Sequence, residues 1–201
     1  ACESVRAFLE KEAGDEDATL PFVLRKYYSL AANVLFNAVV HANRRVLSGN
    51  RSKNVHDKGG ASLIGGFLDS SHVALANVGG CGAYLIRGEN CARLTTPRTY
   101  LQSLDPCGRI EAELAGRLNH PLMALGMTDD LEPEIYEFQA RSGDVLALTT
   151  APRVWEASIQ SALVTSFQSL AGAGARADYA LNLFKNSAPN SGNASFSLVF
   201  F

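Results

Sequence analysis

Two short apolar segments, residues 61–67 and 72–78, flank a polar triplet, Asp69-Ser70-Ser71. Both are apolar at odd and even positions alike, so each is expected to be an interior strand covered on both faces. Such strands need helices or another sheet on either side. That requirement confines the chain to a layered architecture.

The surrounding sequence fits this frame. Arg87-Gly88-Glu89-Asn90 reads as a turn between two further strands, and Arg141-Ser142-Gly143-Asp144 as the turn of a hairpin between residues 135–138 and 145–149. A last strand is expected over residues 194–201, with Phe196, Leu198 and Phe200 on one face. Val5, Phe8 and Leu9 carry the spacing of an amphipathic helix, broken by Gly14-Asp15-Glu16-Asp17. A longer helix is predicted from Pro21 to about Leu47, with Leu24, Tyr28, Ala31, Leu35, Val39 and Ala42 along one stripe and Ser48-Gly49-Asn50 as its stop. Residues 101–118 read as irregular and then helical, and residues 155–170 and 176–184 as two late helices. The fold class expected is α+β, in one domain spanning residues 1–201.

With 47% hydrophobic and 19% charged residues, the chain has the composition of a folded protein. A net charge of −2 argues against nucleic-acid and anionic-membrane partners, which require concentrated Lys and Arg. No apolar run reaches membrane-spanning length, and no signal-peptide pattern opens the chain. The four cysteines, Cys2, Cys81, Cys91 and Cys107, form no C-x-x-C pair, so reduced thiols and a cytoplasmic location are expected. His41, His56, His72 and His120 show no metal-binding spacing.

From Gly59 to Tyr100 the sequence resembles the metal-dependent protein phosphatase family (PP2C, or PPM, type). Asn77, Gly79, Tyr84, Leu85, Leu94 and Thr95 stand where that family's N-x-G-D-S-R-x-Y-L and L-T-x-D-H motifs place them. The resemblance continues through His120–Gly126, Ser142–Leu148 and Gly192–Val199, and it implies a PP2C-like α-β-β-α sandwich with central antiparallel sheets flanked by helices. Ala1-Cys2-Glu3-Ser4 resembles the helix after the family's first metal motif. That motif and the amino-terminal strands would therefore lie before Ala1, and the chain reads as a processed or excised piece of a longer one.

What the resemblance implies for the chemistry is an absence. The family holds two Mg²⁺ or Mn²⁺ ions on Asp carboxylates, because hard dications need anionic oxygen donors to activate water. Here the accessory acidic position is Gly80, the Asp of S-D-G is Ala151, and the Asp of the closing D-N is Asn193, followed by Ala194. Asp-His of the L-T motif is Pro97-Arg98. No metal, cofactor or catalytic residue is therefore expected. The Gly80-Cys81-Gly82 step is expected to be a tight turn, with Cys81 a small packed residue rather than a nucleophile.

Arg153 has two readings: a solvated surface residue, or, with Asn193, a site for an acidic side chain or phosphate. The functional expectation is a catalytically inactive domain acting as a regulatory or scaffolding module, its partner a kinase, a phosphoprotein or a complex subunit. The alternatives are an active phosphatase with a rearranged site and a purely structural or oligomerisation domain. An open sheet edge is expected to be covered by an oligomer contact or an additional segment.

Overall fold

Helix α1, Cys2–Glu12, turns Phe8 inward against the ring of His41, with 5.4 Å between ring centroids. Val5 and Leu9 pack with it on the core, while Arg6 and Glu10 pair across one exposed turn at 2.7 Å. These are features of a computed structural model that describes residues 1–12, 24–96, 98–105, 107, 109–110, 114, 117–118, 120–150, 157–187 and 195–201.

Helix α2, Leu30–Asn50, corrects the predicted boundaries at both ends. The Ser29 hydroxyl accepts the amide of Ala32 at 3.1 Å, so the helix starts there. Residues 24–29 are held outside it by Asn33, whose side chain donates to the carbonyls of Arg25, Tyr28 and Ser29 and accepts the Arg25 amide at 2.8 Å. At the other end Ser48-Gly49 does not stop the helix. Buried Asn50 donates to the Gly59 carbonyl at 2.7 Å and accepts the Gly59 amide at 3.0 Å, which anchors one further turn.

The first of two compact units comprises residues 1–80 and 97–139. Its sheet has the order β1-β2-β5, all antiparallel: β1 is Leu63–Asp69, β2 is His72–Val78 and β5 is Glu134–Gln139. Only β2 is buried along nearly its whole length. β1 lies at the sheet margin and is half-exposed, because Gly65-Gly66 supplies no side chains there. The core joins Leu35 and Val39 of α2 to Leu63, Ala74, Ala76 and Val78 of the sheet, with Leu125 and Leu131. A short helix, α3, covers Tyr100–Leu104; much of the stretch from 106 to 119 lies outside the described residues.

The second unit comprises residues 81–96 and 140–201. Its sheet has the order β4-β3-β6-β7, with β3 Gly82–Arg87, β4 Asn90–Arg93, β6 Val145–Thr149 and β7 Phe196–Phe200. Helices α4, Ala157–Ser169, and α5, Ala173–Ser187, follow β6. Tyr84, Ile86, Val145 and Ala147 pack against Leu163, Phe167 and Ala180. The predicted hairpin of residues 135–138 with 145–149 does not form. β5 pairs with β2 and β6 with β3, in different sheets.

Candidate functional site

The segment matching the phosphatase middle motif is a tight strand-to-strand step. β2 ends at Val78, and Gly79 takes a φ of +84°, where a Cβ would lie 2.8 Å from the Met123 carbonyl and against Ser62. Only glycine suits both demands. The Ser62 hydroxyl accepts the Gly80 amide at 3.1 Å, and the Arg98 amide donates to the Gly79 carbonyl at 3.1 Å. Cys81 is a buried thiol. Thr95, the L-T threonine, is structural: its hydroxyl accepts the Ala83 amide at 2.8 Å while the Leu94 amide donates to the Ala83 carbonyl.

Beside this turn, in the first unit, lies a polar cluster that the sequence reading did not single out. Asn77 and Glu134 are cross-strand partners, and the Asn77 amide donates to Glu134 Oε2 at 3.2 Å. Glu134 Oε1 faces Arg98 Nε at 3.5 Å, and Arg98 is half-exposed. The Asn77 Oδ1 is buried without a hydrogen-bond partner among the described residues. Arg98 was noted as a replacement for histidine, but its acidic partner depends on the pairing of β2 with β5. Sequence spacing carries no signal of that pairing.

A second network in the same unit consumes the next carboxylate. Glu137 Oε1 lies 2.9 Å from His72 Nε2, and its Oε2 accepts the Ser29 amide at 3.3 Å. Burial pushes the Glu137 carboxyl upward, but hydrogen bonds from Ser29 and His72 outweigh it and hold the group below its ordinary range. In the second unit Asp144 is 2% exposed and grips Arg87 with both oxygens, at 2.8 Å to Nε and 2.6 Å to Nη2, and also accepts the Arg141 amide at 2.8 Å. The bonds from Arg87, aided by that amide, hold its carboxyl below the ordinary range against the opposing effect of burial. Burial pushes the Cys91 thiol up to about 11, which removes it as a nucleophile near neutral pH.

Ala151, Arg153 and Asn193 lie outside the described residues. Their nearest described neighbours along the chain are joined: the Thr150 amide donates to the Ser195 carbonyl at 3.0 Å, and the Ser195 amide to the Thr150 hydroxyl at 3.0 Å. Among the described residues no three His, Cys, Asp or Glu side chains gather in a metal-holding group. Glu134, Glu137 and Asp144 are each committed to a cation, histidine or amide. These residues do not fit a pair of divalent ions.

The sequence matches no protein-family model and no curated protein. Solved structures do match. The serine/threonine phosphatase PstP/Ppp of Mycobacterium tuberculosis is 20% identical at a TM-score of 0.68, over 98% of this chain and 78% of that one. Stp1 of Staphylococcus aureus is 18% identical at 0.74, over 100% and 77%. The PPM phosphatase MsPP of Mycobacterium smegmatis, solved with cacodylate, is 17% identical at 0.68, over 100% and 79%. The PstP catalytic domain has also been solved with two manganese ions. At such identities the likeness establishes architecture: this chain has the fold of the PP2C/PPM-type serine/threonine phosphatases.

Proposed function

We propose that this chain is a pseudophosphatase, a phosphatase-like domain that does not hydrolyse phosphoesters and works by binding a protein partner. One observation carries the proposal: the acidic positions of the family motifs are Gly80, Ala151 and Asn193. A neutral amide can offer one carbonyl oxygen, but it cannot balance the charge of two dications that need several carboxylates. The pairing of Glu134, Glu137 and Asp144 supports the same reading, since each of these three already has a partner.

The partner's chemistry follows from residue types alone. Loss of carboxylates and the presence of Arg153 shift this part of the sequence toward accepting an anion. We therefore favour an acidic or phosphorylated protein segment bound by Arg153 with Asn193, as Arg offers a planar fork of donors to such groups.

Calorimetric titration with Mn²⁺, alongside hydrolysis of a phosphothreonine peptide, tests the first claim. The expected result is no saturable metal binding below millimolar concentration and no metal-dependent turnover. Tight binding of two ions with turnover would instead establish an active enzyme with a rearranged site. For the second claim, Arg153→Ala should weaken capture of the same phosphopeptide about tenfold, the order expected for one charge-assisted contact. Unchanged affinity would reduce Arg153 to a surface residue.

A further inference from the structure

Positive charge is most concentrated where α2 runs out toward β1. Residues 44–58 hold five of the 18 Lys and Arg, namely Arg44, Arg45, Arg51, Lys53 and Lys58, but only one of the 20 Asp and Glu, Asp57. That is a local charge of +4 in a chain of net charge −2, so the remaining residues carry −6. The balance over the whole chain conceals a basic surface.

All ten residues from 51 to 60 are exposed, so this loop adds nothing to the core. It is nonetheless fixed in place. Asn50 clamps its far end through the amide and carbonyl of Gly59, and the Lys53 amide donates to the Asn50 carbonyl at 3.2 Å. Between these ties lies a single 3-10 turn, Val55–Asp57, in which the Asp57 amide donates to the Asn54 carbonyl at 3.0 Å. The Asp57 carboxylate turns back on the Asn54 side chain at 3.4 Å. Among the described residues no ion pair reaches Arg51, Lys53 or Lys58. Between the two lysines Val55 is 77% exposed, more than any other large apolar side chain described. A loop already ordered in this way loses little freedom when something binds to it.

We propose that this loop docks an acidic segment of a partner protein, a run of Asp and Glu with one apolar side chain among them. Arg51, Lys53 and Lys58 pair with its carboxylates, and Val55 packs on its apolar residue. Charge complementarity selects the occupant. An apolar element laid over the loop would bury cations without partners, at several kcal/mol each, so whatever meets the loop must bring anions. An anionic membrane would also meet the −6 carried by the rest of the chain, and it would repel that charge. A nucleic acid offers phosphates in quantity but no aliphatic side chain for Val55. Arg44 and Arg45, near the end of α2, add to the field that draws an acidic segment in. The site uses neither Arg153 nor Asn193 and holds whether or not the chain hydrolyses phosphoesters, so it stands or falls apart from the function proposed above.

Fluorescence anisotropy tests this, with a labelled peptide of glutamates around one leucine titrated with the intact chain. At about 20 mM NaCl the dissociation constant should lie below about 100 µM, and by about 300 mM it should weaken at least tenfold, because the charges are exposed to screening. Lys53→Glu combined with Lys58→Glu should weaken binding about tenfold or more, whereas Lys53→Arg with Lys58→Arg should retain it. Val55→Ser should weaken it about threefold. Lys26→Glu reverses an exposed lysine outside the loop and should change the affinity less than about twofold. All these positions are exposed, so circular dichroism and the thermal midpoint should match the parent in every variant. Three results would overturn the proposal: no saturable binding below about 1 mM, a loss in Lys26→Glu equal to that in the loop variants, or tighter binding of phosphatidylserine vesicles or single-stranded DNA than of the peptide in the same buffer.

Discussion

Asp144 illustrates what one residue contributes and how far it could be read. The sequence places it at a turn before an apolar strand, a common arrangement, and the family resemblance adds that a Gly-Asp pair belongs there. Its partner, Arg87, is 57 residues away and is brought to it by the pairing of β3 with β6. A buried carboxylate held by two guanidinium bonds and an amide is a structural clamp. Replacing it leaves the Arg141 amide and the guanidinium without their acceptor. Asp144→Ala should therefore cost about 2 kcal/mol and lower the thermal midpoint by roughly 4–8 °C. The pH dependence has a definite sign. The folded carboxyl titrates below its ordinary value of 3.8, so its stabilisation is present above about pH 4 and fades as pH falls through the folded value. Urea unfolding of the parent should lose stability between pH 5 and pH 3 (about two units, spanning the titration), and Asp144→Asn should flatten that loss. Equal slopes would show that Asp144 is not the responsible group. The Glu137 carboxyl, held down by Ser29 and His72, adds a slope of the same sign that the variant retains.

Among elements, periodicity was informative where burial follows a simple stripe and silent where side chains set the limits. α1 was legible from Val5, Phe8 and Leu9, and β2 from the apolar run of residues 73–76. The start of α2 was not, because apolar Leu24 and Tyr28 extend the stripe while Asn33 folds residues 24–29 back on the helix end. Its end was hidden for a similar reason: Ser48-Gly49 is a breaker by propensity, but the bonds of Asn50 to Gly59 overrule it. The hairpin expected of β5 and β6 failed because a Gly-Asp turn specifies a reversal and not which strands pair. The Ser29 cap gives a direct check. Ser29→Ala removes the acceptor for the Ala32 amide and should cost about 1 kcal/mol, read as a lower urea midpoint at unchanged slope. No change in midpoint would mean that packing alone sets the start of α2.

At the scale of the whole molecule, the phosphatase fold was legible in the apolar frame and glycine turns that match the family pattern, and the solved structures bear that fold out. The positions Gly80, Ala151 and Asn193, where that pattern carries acids, belong to the proposed function. The site itself was not legible, because Glu134 reaches Arg98 and Asn77 only through strand pairing, and Arg153 and Asn193 lie outside the described residues. A clustered set of carboxylates repels itself when its metal leaves, so proteins built around such a site lose stability on chelation. A resident ion present at a hundredfold excess over its dissociation constant stabilises the native state by about 2.7 kcal/mol, equivalent to roughly 5–10 °C in a chain of this size. On the proposed reading, Ala151 and Asn193 in place of those acids bring neither the repulsion nor the ion. Thermal unfolding in excess EDTA and in millimolar Mn²⁺ should therefore give midpoints within about 1 °C of each other. A midpoint that falls by several degrees on chelation would reveal a metal that other residues hold, and with it a route back to hydrolysis.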